Sequence, residues 1–238
     1  MEIETFNKYK FIKFKCENVV ILFSTASGEL NFNCHTKEGL INLEKIKTYY
    51  NLKSIGYLNQ IHSDIIFDFD GTIKDGDALI TNKKNKAIGV FTADCVPVIL
   101  VDINKTVIAA IHSGWKGTQA FIVSKTIERM QEVYGTEAEN VRAYIGPHIG
   151  KCCYEVSNEL IEKFTSKDIY SNIKISYRNN LDLEKCIIAQ LNEKGIKDEN
   201  INITNACTSC SKEYELYSYR KSENKKGRMF SFVYVNDI

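Results

Sequence analysis

Only four histidines occur in the 238 residues, a scarcity that excludes enzymes holding several coppers largely through imidazole. The chain also lacks a charge excess. Its 31 basic and 30 acidic residues leave a formal charge of +1, so no overall field draws in nucleic acid or an anionic membrane surface. No stretch approaches the roughly 18 apolar residues of a membrane span. The opening Met1-Glu2-Ile3-Glu4 has no basic start followed by an apolar run. A cytoplasmic location and a small-molecule partner are therefore expected. Internal repeats, low-complexity tracts and linkers are missing too, so residues 1–238 are expected to form one domain, monomeric or weakly dimeric.

What is present is enough to build a core: 44% of residues are hydrophobic and 11% aromatic, which argues against disorder. Eight cysteines would suit a disulfide framework only in a short secreted chain, so reduced thiols are expected. Cys16, Cys34 and Cys186 read as small buried apolar residues.

Short runs rich in Val, Ile, Tyr and Phe alternate with a few helical stretches, a mixed α/β pattern. Phe11 to Phe14 and Val19 to Phe23 flank Glu17-Asn18 as a hairpin, and Leu43, Ile46 and Tyr50 recur at helical spacing. Strands are expected over 55–61, 65–69, 78–81, 87–92, 96–101, 106–111, 141–145 and 229–235. Val123, Ile127, Met130 and Tyr134 step along one helical face that Gly135 terminates. Further helices are expected over 158–164 and 181–193.

Chemistry gathers where these strands end. In Phe91-Thr-Ala-Asp-Cys95-Val-Pro97, an aspartate and a proline interrupt what would otherwise be core strand. Ile111-His112-Ser-Gly-Trp-Lys-Gly-Thr118 reads as a strand and glycine-containing turn passing straight into the helix, with backbone N–H groups available to an anion. Leu58-Asn-Gln-Ile-His62-Ser-Asp64 places a histidine just after a strand. His62, Cys95 and His112 together supply two imidazoles and a thiolate, a set that zinc accepts while keeping a fourth position open. Either histidine taken alone, on spacing, reads rather as an ordinary structural residue of the core or surface.

These segments, with Ile145-Gly-Pro-His-Ile-Gly150-Lys-Cys-Cys-Tyr-Glu155-Val156, Cys207-Thr-Ser-Cys210 and Tyr217-Ser-Tyr-Arg220, resemble the polyphenol oxidase or laccase-domain family, also described as purine nucleoside phosphorylases. Five blocks in order span about Phe23 to Phe232. The resemblance implies a layered α/β/β/α fold and a zinc ion on His62, Cys95 and His112 beside a nucleoside pocket. It also implies phosphorolysis of adenosine, inosine and methylthioadenosine to free base and ribose 1-phosphate, with some adenosine deamination. Three departures stand out: Ser113 for alanine, Lys116 for arginine, and Ser24-Thr-Ala-Ser-Gly28 without the family's arginine. Lysine lacks the planar fork that grips an oxyanion through two bonds.

Phosphorolysis needs cations beside the ribose. Arg220, Lys221, Arg228 and Lys116 are the candidates, Arg220 foremost, and His148 is a candidate proton donor to the purine. Gln60 and Asp94 are expected to orient the ligands or a bound water. Cys207-x-x-Cys210 would need a second pair to hold zinc; because Cys152 and Cys153 are adjacent, buried thiols are expected instead. Copper is expected to replace zinc in vitro, which leaves a single-copper phenol oxidase among the alternatives. In another, Cys95 is the nucleophile of a hydrolase or amidase and His112 its base. A binding module with a closed zinc shell would draw its fourth ligand from His35 or His148.

Overall fold

Period-two alternation in the strands sets the architecture. In the 96–102 strand, Val98 and Leu100 face one core while Ile99 and Val101 face another, so both faces of the sheet are covered and every residue of the strand is buried. The computed structural model describes residues 1–223 and 226–236. In chain order its elements are β1 (Glu2–Phe6), β2 (Tyr9–Cys16), β3 (Val19–Ser24), α1 (Lys37–Tyr49), β4 (Ser54–Gly56), β5 (Ile66–Asp68), β6 (Ala78–Thr81), β7 (Lys86–Thr92), β8 (Val96–Asp102) and β9 (Val107–Ser113). There follow α2 (Trp115–Gln119), α3 (Ile122–Tyr134), β10 (Val141–Ile145), α4 (Asn158–Thr165), β11 (Ser176–Tyr177), β12 (Asn180–Leu181), α5 (Leu183–Glu193), β13 (Ile201–Ile203) and β14 (Met229–Val235).

Two six-stranded sheets carry the fold, one ordered β1-β2-β3-β14-β7-β4 and the other β13-β10-β8-β9-β6-β5. Ile21, Phe23 and Val233 of the first sheet pack against Ile99, Ile108 and Tyr144 of the second. The first sheet's outer face, with Leu22, Phe230 and Phe232, is covered by Leu43 and Ile46 of α1. The second sheet's outer face, with Leu100, Ala109 and Ile111, is covered by Ile127 and Met130 of α3 and Ile187 of α5. The layers are α/β/β/α, as the resemblance implied. No helix among the described residues is long and apolar enough to cross a membrane.

Two local features depart from the expectation. The strand at 55–61 is shorter: β4 ends at Gly56, whose missing side chain lets Phe69 approach to within 2.5 Å of where a Cβ would stand. The passage from β9 into the helix is also not straight. The five-residue α2 comes first, and Phe121, in the left-handed region at φ 63°, separates it from α3. At the far end α3 stops on Gly135 at φ 65°, as its stop signal required.

Candidate metal centre and its cavity

The register of the second sheet creates the site. Pro97 pairs with His112 and Val96 with Ser113, so Cys95, one residue before β8, stands beside the end of β9. His62 arrives from the loop between β4 and β5. One ligand atom from each of His62, Cys95 and His112 lies within 4.8 Å of the other two. Cys95 Sγ is 3.8 Å from His62 Nε2, and the two imidazole rings stand nearly perpendicular, 4.8 Å apart at their centroids. The backbone is tensioned around these residues: His62 at φ 59° and Asp94 at φ 92° both occupy the left-handed half of conformational space, which non-glycine residues enter only when the surroundings hold them there.

Asp77, which sequence reasoning did not single out, organises the cluster. It is fully buried just before β6, and its Oδ1 is 2.7 Å from His112 Nδ1. The same carboxylate accepts the backbone N–H of His62 at 3.1 Å, and the N–H and hydroxyl of Ser63, both at 2.6 Å. Its carbonyl accepts the N–H of His112 at 2.8 Å. Occupying Nδ1 leaves Nε2 of His112 as its ligand atom, the carboxylate–histidine pairing usual at zinc sites. Burial raises the Asp77 pKa, but the hydrogen bonds from His112 and Ser63 outweigh it and hold the carboxyl below its ordinary value. An Asp after Gly76 at a strand start was the only available signal, and it is too common to point here.

Charge couples the remaining pair. Burial pushes the Cys95 thiol up, yet the charges and hydrogen bonds of His112 and His62 bring it down to about 6. Burial lowers His112, while the Cys95 thiolate and Asp77 raise it to about 9. In protein stripped of metal by a chelator, Cys95 is therefore a thiolate above about pH 6, where an ordinary thiol needs about pH 8.5. Alkylation of Cys95 by iodoacetamide in metal-free protein should rise through a midpoint near pH 6; a midpoint near 8.5 would contradict the pairing.

Space around the ligands is closely matched. A Cβ added at Gly114 would meet Cys95 Sγ at 3.0 Å and His62 Cδ2 at 3.1 Å. Gly114→Ala should leave the fold intact, because Gly114 has an ordinary φ of −73°, but weaken retention of any divalent metal the cluster takes up by about 10-fold or more in a chelator competition.

The ligands open into a cavity of about 520 Å³ that Gln60, Phe91, Tyr154, Tyr219, Arg220 and Arg228 also line. Burial pushes the Tyr154 hydroxyl up to about 12, so it is a neutral donor. Arg220 lies over the Tyr154 ring at 5.5 Å and donates to the Glu155 carbonyl at 2.9 Å. Arg228 lies 6.0 Å from the Tyr219 ring. Of the other sequence candidates, Gln60 faces the cavity but spends its amide on the backbone of Phe91, accepting its N–H and donating to its carbonyl, both at 2.7 Å. It anchors the His62 loop to β7. Asp94 accepts from Thr208 Oγ1 at 2.6 Å and from the N–H of Arg220 at 2.7 Å, so its carboxylate ties the Arg220 loop to the Cys95 loop.

Lys116 and His148 are not part of this wall. Lys116 is exposed with its ammonium 5.6 Å from the Trp115 ring. His148 is buried, its Nδ1 2.9 Å from the Gly146 carbonyl and its Nε2 3.6 Å from Glu184. His35 lines the cavity but lies outside the three-residue cluster. The Ser113 hydroxyl that replaces alanine is satisfied by Thr118 Oγ1 at 2.8 Å. Buried thiols were expected at Cys207 and Cys210, but Cys210 is exposed, and both join Cys152 and Cys153 in a second cluster.

An α/β/β/α sandwich with a His-Cys-His cluster at the floor of a cavity of about 520 Å³ defines a class of metal-capable, small-molecule protein. More particularly, residues 29–236 match the family described as multi-copper polyphenol oxidoreductase laccase, and the chain belongs to it. It is 48% identical over 235 residues to a purine nucleoside phosphorylase of Clostridium acetobutylicum, covering 98% of this chain and 99% of that one. Similarity at 31% identity over 170 residues, 69% of this chain and 64% of the other, extends to an adenosine deaminase, RL5, from an unknown prokaryotic organism. The solved structure of Bacillus licheniformis hypothetical protein YfiH superposes with a TM-score of 0.85 at 25% identity, covering 97% of this chain and 100% of that one.

Proposed function

We propose that the protein is a zinc-dependent purine nucleoside phosphorylase that cleaves adenosine, inosine and methylthioadenosine with phosphate, and that deaminates adenosine at the same site. The observation that carries this reading is the cluster itself: two imidazoles and a thiol within 4.8 Å, one imidazole locked by Asp77, facing a cavity with two guanidinium groups. The donor set suits zinc with an open position, and copper competes for it. The relatives named purine nucleoside phosphorylase and adenosine deaminase support the same chemistry. Zinc bound by His62, Cys95 and His112 supplies a Lewis acid at the cavity floor.

The chain's own residues do the rest. Phe91 and Tyr154 offer aromatic surface to the purine, and the Tyr154 hydroxyl stays protonated as a donor. Arg220 and Arg228 place positive charge where phosphate must approach C1′ of the ribose, stabilising the anion as the C–N bond breaks and the base departs. Asp77 keeps Nδ1 of His112 engaged and so keeps the imidazole in one orientation.

Zinc-loaded protein incubated with adenosine should yield adenine and ribose 1-phosphate only when phosphate is present, and inosine in its absence. A second reading, with Cys95 as nucleophile and His112 as base, draws on the low Cys95 and high His112 pKa values. Chelation separates them: it stops a zinc enzyme and frees a thiolate hydrolase.

A further inference from the structure

Of the seven thiols that the proposed chemistry does not use, four gather in one place. The Sγ atoms of Cys152, Cys153, Cys207 and Cys210 all lie within 4.8 Å of one another, with Cys152 and Cys210 3.4 Å apart. Four sulfurs at about 2.3 Å from a tetrahedral zinc ion stand roughly 3.8 Å from each other, so only small side-chain shifts separate this arrangement from a coordination shell. Adjacency of Cys152 and Cys153 is no obstacle. The N–H groups of Cys153 and Tyr154 both reach the Gly150 carbonyl, at 2.9 and 3.0 Å, which coils the chain into a helical turn. Successive side chains there diverge by about 100° rather than pointing to opposite faces as in a strand.

The surroundings are shaped for sulfur. Gly150 N–H donates to Cys207 Sγ at 3.3 Å, and a Cβ at Gly150 would come within 3.3 Å of Cys152 Sγ and 3.7 Å of Cys207 Sγ. The backbone thus approaches the cluster at a residue with no side chain. We infer that Cys152, Cys153, Cys207 and Cys210 form a closed tetrathiolate site for a structural zinc ion, separate from the His62, Cys95 and His112 cluster. Soft thiolates in tetrahedral array select zinc over harder divalent ions, and with no position left for water the site is structural.

The location gives the ion its work. Between β13 and β14 the described residues form no helix or strand, and strand-like pairing reaches only as far as the bridge of Cys207 to His148, where the Thr208 N–H donates to the His148 carbonyl at 2.8 Å. Cys207 and Cys210 lie within it, as do Tyr219, Arg220 and Arg228 of the cavity wall. Cys152 and Cys153 lie on the turn that carries Ile149 and Tyr154 to the same wall. Binding would release the thiol protons and fasten the two irregular segments together, as metal does in small domains that lack a core.

Metal content of protein purified from zinc-supplemented cells tests this. Wild type should hold two zinc ions per chain, the His62→Ala/Cys95→Ala variant one, and the Cys207→Ser/Cys210→Ser variant one fewer than wild type with a Tm lower by more than about 5 °C. Cobalt loaded into the His62→Ala/Cys95→Ala variant should show intense sulfur-to-cobalt charge transfer and the visible bands of a tetrahedral S4 site. That variant keeps all four thiols, so its spectrum decides the matter even if the double serine variant fails to fold, and whatever becomes of the phosphorylase reading. No cobalt bands in it, iron in place of zinc, or a Cys152–Cys210 disulfide in the native protein would each overturn the inference.

Discussion

If the proposed zinc-dependent phosphorolysis holds, Cys95→Ala loses the metal at the cavity floor and lowers phosphorolysis by at least about 1,000-fold, equivalent to about 4 kcal/mol of transition-state stabilisation. The thiol is the sole sulfur within the cluster and the one donor whose anionic form the neighbouring imidazoles favour. Two imidazoles alone hold zinc weakly, because the thiolate supplies the charge that neutralises the ion. Metal content and turnover measured on the same preparation check the prediction. Activity lost with zinc still bound at the floor would instead indicate a nucleophilic Cys95.

On the same reading, Asp77→Asn should lower zinc affinity by about 10- to 100-fold. The substitution preserves volume but removes the negative charge and turns an amide donor toward one set of partners that already donate: the N–H groups of His62 and Ser63, the Ser63 hydroxyl, or His112 Nδ1. Leaving such groups unpaired inside the protein also costs about 2–4 kcal/mol of stability. Restoration of activity at high zinc, with kcat near wild type, would mark Asp77 as a positioning residue. Failure to recover despite full zinc loading would contradict that role.

How far the chain could be read in advance depended on whether a feature was local. β6 at Ala78–Thr81 and β14 at Met229–Val235 were legible to the residue, because their apolar runs are bounded by polar loops. The end of α3 was legible because Gly135 tolerates the left-handed conformation that stops a helix. The break at Phe121 was not, since a phenylalanine at φ 63° is imposed by packing and has no sequence signature. β4 ended early because the chain turns away to bring Gln60 onto Phe91 and His62 to the cluster. The clustering of His62, Cys95 and His112 was suggested by motif, whereas Asp77 was invisible: its partners lie 14 to 35 residues away. The gathering of the four thiols was missed because adjacent Cys152 and Cys153 were read as unable to share one site, and only a 58-residue closure brings them to Cys207 and Cys210.

The segment joining β13 to β14 runs from an outer strand of one sheet to an inner strand of the other, passing over the end of the sandwich where Cys95 and His112 lie. Past Thr208 its described residues belong to no strand, while His112 lies on β9 and is held by Asp77. On the proposed reading, the residues around Tyr219 that would recognise a substrate and the His-Cys-His cluster that would hold the metal therefore come from different parts of the chain, joined where Asp94 accepts the Arg220 N–H, so a change in one is felt by the other chiefly through that single carboxylate.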